Sequence, residues 1–123
     1  MSRRTQRIAV EIRTEVSRLL REEATDPRIG LVTITRVDVA PDLSNAVLHY
    51  SVMDVNDAVD VESVDDGLHS AAAFLRRRAA RRLQLKRMPE LRFRYDPSLS
   101  LGARTLGLLR ELESDGGGDD ETA

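Results

Sequence analysis

Apolar side chains recur at helical spacing along the first part of the chain. Five of them share one third of the helix circumference: Ile8, Ile12, Val16, Leu19 and Leu20. Such a one-sided stripe predicts an amphipathic helix over residues 4–23. On its charged face, bases stand three or four residues from acids: Arg7 and Glu11, Glu15 and Arg18, Arg18 and Glu22. A proline and a glycine within residues 25–30 then end the helix.

Two segments rich in valine, isoleucine and threonine follow this helix. Residues 31–39 and 46–53 have the composition and the length of ordinary strands. The six residues between them, 40–45, read Ala-Pro-Asp-Leu-Ser-Asn and favour a turn. Because the connection is short, we predict that the two strands pair as an antiparallel hairpin.

A second long helix is predicted from about Glu62 to the Met88-Pro89 pair. Its apolar stripe comprises Leu68, Ala72, Leu75, Ala79 and Leu83. On a straight helix Phe74 would lie about 140° from the middle of that stripe. Either Phe74 is exposed and stacks on a nucleobase, or the helix breaks near Ala71, Ala72 and Ala73 and turns Phe74 into the core. We favour the break, because large aromatic side chains are usually buried.

Residues 91–95 alternate strictly between apolar and basic side chains, and they predict a third strand with Arg92 and Arg94 facing outward. Residues 101–112 suit a final helix, whereas the acidic, glycine-rich residues 113–123 are expected to be disordered. The element order predicts an α+β fold, a single domain over residues 1–112 with a three-stranded sheet and helices on one face.

Catalytic and metal-binding patterns are missing from the sequence. The chain has no cysteine, and neither His49 nor His69 has a neighbour at metal-ligand spacing, so both are interpreted as ordinary polar residues. Six acids within residues 54–66 are interpreted as a solvated connection and not as a magnesium site. No phosphate-binding loop or nucleophile elbow is present. We therefore expect no enzyme activity, cofactor, metal or small-molecule substrate.

The formal net charge of −2 conceals a strong segregation of charge along the chain. Residues 76–94 carry nine bases and a single acid, Glu90. On the helix, Arg77, Arg78 and Arg81 are predicted to project away from the core, with Arg76 and Arg82 at the flanks. The basic residues that we interpret as nucleic-acid contacts are Arg76, Arg77, Arg78, Arg81, Arg82, Lys86, Arg87, Arg92 and Arg94.

Two interpretations of this basic stretch remain open from charge alone. It can bind nucleic acid through phosphates, with Arg92 and Arg94 widening the helical surface, and the charge does not choose between RNA and DNA. Alternatively, it can be a protein-interaction module that binds an acidic partner protein. Residues 76–87 contain no acid, so the stretch lacks internal ion pairs, which favours nucleic acid. The sequence shows no signal peptide or apolar span, so a cytoplasmic location without membrane contact is expected.

An ordered set of short segments resembles the ribosome-binding factor A family. It includes Arg7-Ile8-Ala9, Asp26-Pro27-Arg28-Ile29-Gly30, Val32-Thr33-Ile34-Thr35, Asp42-Leu43-Ser44-Asn45-Ala46, Phe74-Leu75-Arg76, Pro89-Glu90-Leu91-Arg92-Phe93, Tyr95-Asp96 and Gly102-Ala103-Arg104. Together these segments span residues 4–112 in order.

The resemblance implies a type II KH-like fold in which an interhelical kink replaces the usual phosphate-clamping glycine loop. That kink corresponds to Ala71-Ala72-Ala73, where alanine stands in place of the family's glycine. The resemblance further implies a monomeric factor that binds the 30S ribosomal subunit and its 16S rRNA near an assembly GTPase. Such a factor supports late maturation, including processing of the 16S rRNA 5′ end, and adaptation to cold.

Overall fold

In a computed structural model, which describes residues 2–23, 25–29, 32–53 and 60–97, the chain begins with helix α1, Arg3–Glu22. The Ser2 hydroxyl accepts a hydrogen bond from the Thr5 amide at 3.2 Å and caps the first turn. The five apolar residues predicted for this helix are all buried. A short 3₁₀ helix, Pro27–Ile29, follows and places Ile29 in the core.

Strands β1, Val32–Val39, and β2, Asn45–Val52, form the predicted antiparallel hairpin. The register shifts once, between Ile34 and Arg36. In the connection between the strands, Leu43 has a φ of 62°, a left-handed conformation that is uncommon for a leucine. Its side chain is buried.

Helix α2, Val61–Leu83, is continuous through Ala71, Ala72 and Ala73, so the predicted break at these alanines is wrong. Alanine is the strongest helix former, which explains why the helix continues where a glycine would weaken it. The helix also ends earlier than predicted. Gln84 adopts a left-handed conformation with a φ of 52°, and the Met88-Pro89 pair belongs to the connection that follows.

Strand β3, Glu90–Tyr95, completes a mixed sheet in the order β1-β2-β3. β3 runs parallel to β2, because α2 carries the chain back to the same end of the sheet. α1 packs against β1, α2 against β3, and the two helices against each other. One layer of helices therefore covers one face of the sheet, and the α+β architecture predicted from the sequence is confirmed.

The core lies between the helices and the covered face of the sheet. The largest of its completely buried side chains include Tyr50, Ile12, Leu19, Leu48, Leu68 and Leu75. Within the described ranges, no helix is long and apolar enough to cross a membrane. The predicted final helix at 101–112 and the predicted disordered tail at 113–123 lie outside the described residues.

Candidate nucleic-acid interface

The arginines of α2 form two rows that differ in their surroundings. Arg77 and Arg81 lie one turn apart and are exposed, and neither forms an ion pair with any residue in the described part of the chain. We call them the outer row. Arg81 also borders the recess that Arg18, Arg78, Arg82 and Glu23 line. Ser70 and Ala73 are exposed on the preceding turns of the same face. Small side chains next to free guanidinium groups allow close approach of a phosphate backbone.

Arg78 and Arg82, the paired row, lie along the boundary between α2 and α1. The Arg78 guanidinium forms an ion pair with Glu23, and its Cζ also lies 5.8 Å from the centre of the Phe74 ring. The Arg82 Nε lies 3.7 Å from Glu15 Oε1. The positive charge of the paired row is thus partly neutralised by acids of the neighbouring helix.

These acids belong to a network that Arg18 organises on α1. Its Nη2 donates to Glu15 Oε2 at 2.6 Å, its Nη1 donates to Glu22 at 2.7 Å, and it also reaches Glu23 at 3.3 Å. The hydrogen bonds from Arg18 to Glu15 and then Glu22 raise the pKa of the arginine above its usual value. Two of the three predicted pairs on this helix are therefore confirmed, whereas Arg7 and Glu11 form no ion pair in the described structure.

Arg76 has a different environment from its neighbours on α2. Its Nε donates to the carbonyl of Pro89 at 3.1 Å and its Nη2 to the carbonyl of Met88 at 2.6 Å. Met88 and Pro89 are buried, so the guanidinium group satisfies two carbonyls in the connection that leads into β3. Arg76 thus holds the end of α2 to the start of β3, a contact that its sequence position did not reveal.

The remaining candidate bases lie on other elements than the outer row. Lys86 and Arg87 lie in the connection after α2, because the helix ends at Leu83. Arg92 and Arg94 are exposed on the face of β3 that the helices do not cover. The prediction that these two strand arginines widen the helical surface is therefore wrong, because the sheet separates them from the outer row.

The uncovered face of the sheet carries its own polar cluster. Arg94 lies beside His49 in the register of β3 and β2, and Arg36 of β1 lies on the other side of that histidine. The His49 Nε2 and Asp38 Oδ2 are 2.9 Å apart, and the Arg36 Nε lies 3.2 Å from the same carboxylate oxygen. His49 is held as a polar residue of the sheet, in agreement with its interpretation from sequence.

A cleft of about 330 Å³, which we call the Phe74 cleft, lies beside the paired row, where the end of α1, the 3₁₀ helix and α2 meet. Phe74, half-buried, forms one wall together with Ala71. Phe74 therefore reaches the edge of the core without any break in α2. Gly67 permits the close packing of this region, because a Cβ atom there would lie 3.0 Å from Ile29 Cγ2.

An exposed ion pair borders this cleft. The Arg28 Nη2 lies 2.6 Å from Asp26 Oδ2, and the Arg28 amide also donates to the Asp26 carboxylate at 2.9 Å. Both hydrogen bonds favour the ionised form and lower the pKa of Asp26. Arg28, like Arg78, is consequently an arginine with an acid already in contact.

The acids considered as a metal site are only partly described, because residues 54–59 lie outside the described ranges. Asp65 accepts a hydrogen bond from the buried Tyr50 hydroxyl at 2.6 Å. Burial and this hydrogen bond raise the pKa of Tyr50 above its ordinary value. No group of three or more potential metal ligands occurs among the described residues, and His69 contacts the backbone carbonyl of Asp65 at 2.8 Å.

Comparison with known proteins identifies the family to which this arrangement belongs. The family model described as ribosome-binding factor A matches residues 4–109. The chain belongs to this family. It is 42% identical over 120 residues to ribosome-binding factor A of Geobacter sulfurreducens, covering 98% of this chain and 100% of the relative.

Solved structures of ribosome-binding factor A share the fold. The crystal structure of ribosome-binding factor A from Thermus thermophilus aligns with a TM-score of 0.65 at 21% identity, over 74% of this chain and 94% of that chain. A homology model of the Thermus thermophilus protein, fitted into a cryo-EM map of a 30S complex with ribosome-binding factor A, aligns with a TM-score of 0.57 at 20% identity. It covers 80% of this chain and 97% of that chain. The KH-like fold expected from the family resemblance is therefore confirmed.

Proposed function

We propose that this protein is a ribosome-assembly factor that binds the 30S subunit through 16S rRNA. It supports late maturation of the subunit, including processing of the 16S rRNA 5′ end, and growth in the cold. It acts as a cytoplasmic monomer near an assembly GTPase, and it needs neither a cofactor nor a small-molecule substrate. Its contribution is binding and not catalysis.

One observation carries this proposal: a member of the ribosome-binding factor A family presents a free arginine row on the exposed face of α2. The family supplies the ribosomal context, and a fitted model of a relative comes from a 30S complex. The outer row supplies the means of contact, because each unpaired guanidinium that reaches a phosphate releases condensed counterions.

Exposure and ion pairing support an order of importance among the nine proposed contacts. Arg77 and Arg81 make the primary phosphate contacts, because both are exposed and unpaired in the described structure. The paired row, Arg78 and Arg82, joins only if phosphate displaces its carboxylates. Arg76 acts by positioning the end of α2. The other candidates lie on separate surfaces: Lys86 and Arg87 after the helix, Arg92 and Arg94 on the uncovered sheet face.

The decisive experiment replaces both rows at once. Changing Arg77, Arg78, Arg81 and Arg82 together to alanine removes up to four phosphate contacts from a solvent-exposed helix, where alanine is well tolerated. We expect a folded variant, checked by circular dichroism, that no longer co-sediments with 30S subunits. A matched control, Arg13→Ala with Arg21→Ala, removes exposed arginines of α1 and is expected to co-sediment normally. Unaltered co-sedimentation of the quadruple variant would contradict the assignment to α2.

Nuclease treatment separates RNA binding from binding to an acidic protein. Chemical cross-links formed on the 30S subunit are expected to join the protein mainly to RNA, and its retention is expected to disappear when the rRNA is digested. Retention on ribosomal proteins after complete digestion would instead favour the protein-interaction alternative.

A further inference from the structure

A second basic site lies at the opposite end of the helix pair from the Phe74 cleft. Here the first turns of α1, the β1–β2 connection and the segment after α2 enclose a recess of about 170 Å³. Four bases line it: Arg4, Arg7, Lys86 and Arg87. We call it the basic recess. Arg4, Arg7 and Lys86 form no ion pair within the described ranges.

An acid beside the recess, Asp42, is already engaged by Ser44. Asp42 lies close enough to Arg87 for the guanidinium to contribute to a lowered pKa of the carboxyl. The larger causes are hydrogen bonds from Ser44, whose hydroxyl and amide donate to Asp42 Oδ1 at 2.7 and 3.0 Å. Asp42 does not line the recess. The described residues that line the recess therefore concentrate positive charge and include no carboxylate.

The floor of the recess is apolar, which distinguishes it from a simple charged surface. Ile8, Leu43 and Leu85 contribute this floor, and the first two are buried. A free inorganic anion would gain nothing from such a floor. A ligand with a charged group beside an uncharged ring would contact both parts of the recess, because apolar burial and phosphate binding are satisfied together.

Backbone conformation gives a second indication that this recess is built for a purpose. Leu43 and Gln84 are the two non-glycine residues with a positive φ in the described structure, and both line the recess. A left-handed conformation is unfavourable for such side chains, and residues of this kind cluster at binding sites. Here one of them lies in the β1–β2 connection and the other is the residue that ends α2.

We infer that the basic recess holds one nucleotide of a single-stranded RNA segment. The phosphate of the nucleotide lies among the four basic side chains, and its nucleobase and ribose lie on the apolar floor. An arginine guanidinium provides the stacking plane, because none of the described residues that line the recess is aromatic. The inference rests on the proposed function in taking RNA as the ligand. It adds a contact that recognises unpaired nucleotides, whereas the outer row contacts backbone phosphates of any RNA.

The inference is tested with the full chain and adenosine 5′-monophosphate as the probe. Methyl NMR spectra are recorded during titration, with adenosine alone and inorganic phosphate alone as controls. The mononucleotide is expected to shift the methyl signals of Ile8, Leu43 and Leu85, while those of Ile12 and Leu19 deeper in α1 stay unchanged. Shifts of the same size with phosphate alone, or no shifts in the recess, would overturn the inference.

Two exposed double variants give the matched comparison. Lys86→Ala with Arg87→Ala is expected to raise the dissociation constant of the mononucleotide about tenfold, as for the loss of one charge-assisted hydrogen bond. Arg13→Ala with Arg21→Ala, which removes two exposed arginines of α1, is expected to leave it unchanged, since neither residue lines the recess. Equal effects of the two variants would overturn the inference, because only general charge would then be acting.

The same proteins distinguish a failure of the inference from a failure of the proposed function. Normal co-sedimentation with 30S subunits but no methyl shifts would reject the recess and keep the ribosomal role. Methyl shifts without co-sedimentation would keep the recess as a nucleotide site and reject the ribosomal role. The NMR measurement needs no ribosome, so the two results are independent.

Discussion

The outer and paired rows of α2 have the same residue type and the same spacing, yet they meet different surroundings. Arg77 and Arg81 face solvent and have no acid in contact in the described structure. Arg78 and Arg82 face α1, where Glu23 and Glu15 contact them. A rotation of one residue around the helix, about 100°, therefore separates available charge from charge that is already neutralised.

This difference shows why counting charges along a segment overstates the size of a binding surface. The acids that neutralise the paired row lie more than fifty residues earlier in the chain. Local rules for helices concern partners three or four residues apart and do not include such contacts. Because later residues of α1 contact earlier residues of α2, the two helices run in opposite directions, and the acidic end of α1 comes to lie beside Arg78.

The largest expected effect is the loss of RNA affinity in the double variant Arg77→Ala with Arg81→Ala. The logarithm of the RNA association constant falls linearly with the logarithm of the salt concentration. The loss of two phosphate contacts makes this slope shallower by about 1.4 to 1.8. At 50 mM salt this corresponds to a roughly hundredfold weaker binding of an rRNA fragment. Fluorescence anisotropy over a range of salt concentrations measures both the slope and the affinity.

The matched control is the double variant Arg78→Ala with Arg82→Ala, which removes the same charge from the same helix. Its slope should change by less than half as much, because these guanidinium groups already contact carboxylates. Glu15 and Glu23 each keep Arg18 as a partner in this control, so neither acid is left alone. Equal slopes for the two variants would show that pairing with α1 does not limit binding.

A smaller effect, on stability, is expected for Arg76→Ala. The variant removes both guanidinium hydrogen bonds to the carbonyls of Met88 and Pro89, which costs about 1–3 kcal/mol in the free energy of unfolding. The adjacent Arg77→Ala should change stability by less than about 0.5 kcal/mol, because it removes an exposed, unpaired side chain. Urea denaturation of the two variants measures the contrast. A stability loss in Arg77→Ala equal to that of Arg76→Ala would contradict it.

The regular elements could be predicted from sequence because their signals are local. The apolar stripe of α1 and the alternation in β3 match the buried positions that the structure shows. The continuous course of α2 does not follow from the sequence, because burial of Phe74 favours a break in the helix. In the structure it reaches the core edge beside Arg78 from an unbroken helix. The end of α2 was missed because the left-handed Gln84 has no sequence signal comparable to a glycine.

The exposed arginines of α2 could be predicted from sequence, but their division into two rows could not. An acid-free run of bases marked α2 correctly as a positively charged helix. The roles of Arg76 and of the paired row depend on contacts with Pro89, Glu15 and Glu23, which only the tertiary fold brings close. The strand arginines were assigned to the same surface because sequence alone does not show that the sheet lies between them and α2.

The smallest expected effect comes from Asp26→Asn, which releases the exposed Arg28 from its local ion pair. The folded protein lowers the pKa of Asp26, so the ionised carboxylate stabilises the fold above its ordinary pKa of about 3.9. This contribution to stability is lost as the pH falls through the lowered pKa. Below that pH, the wild type and the variant should have equal midpoints of thermal unfolding. At neutral pH the variant should melt slightly lower.

Its RNA affinity should instead rise slightly, because a freed guanidinium beside the Phe74 cleft is available to phosphate. Reduced affinity would contradict the view that carboxylate pairing, and not the mere number of arginines, limits this surface.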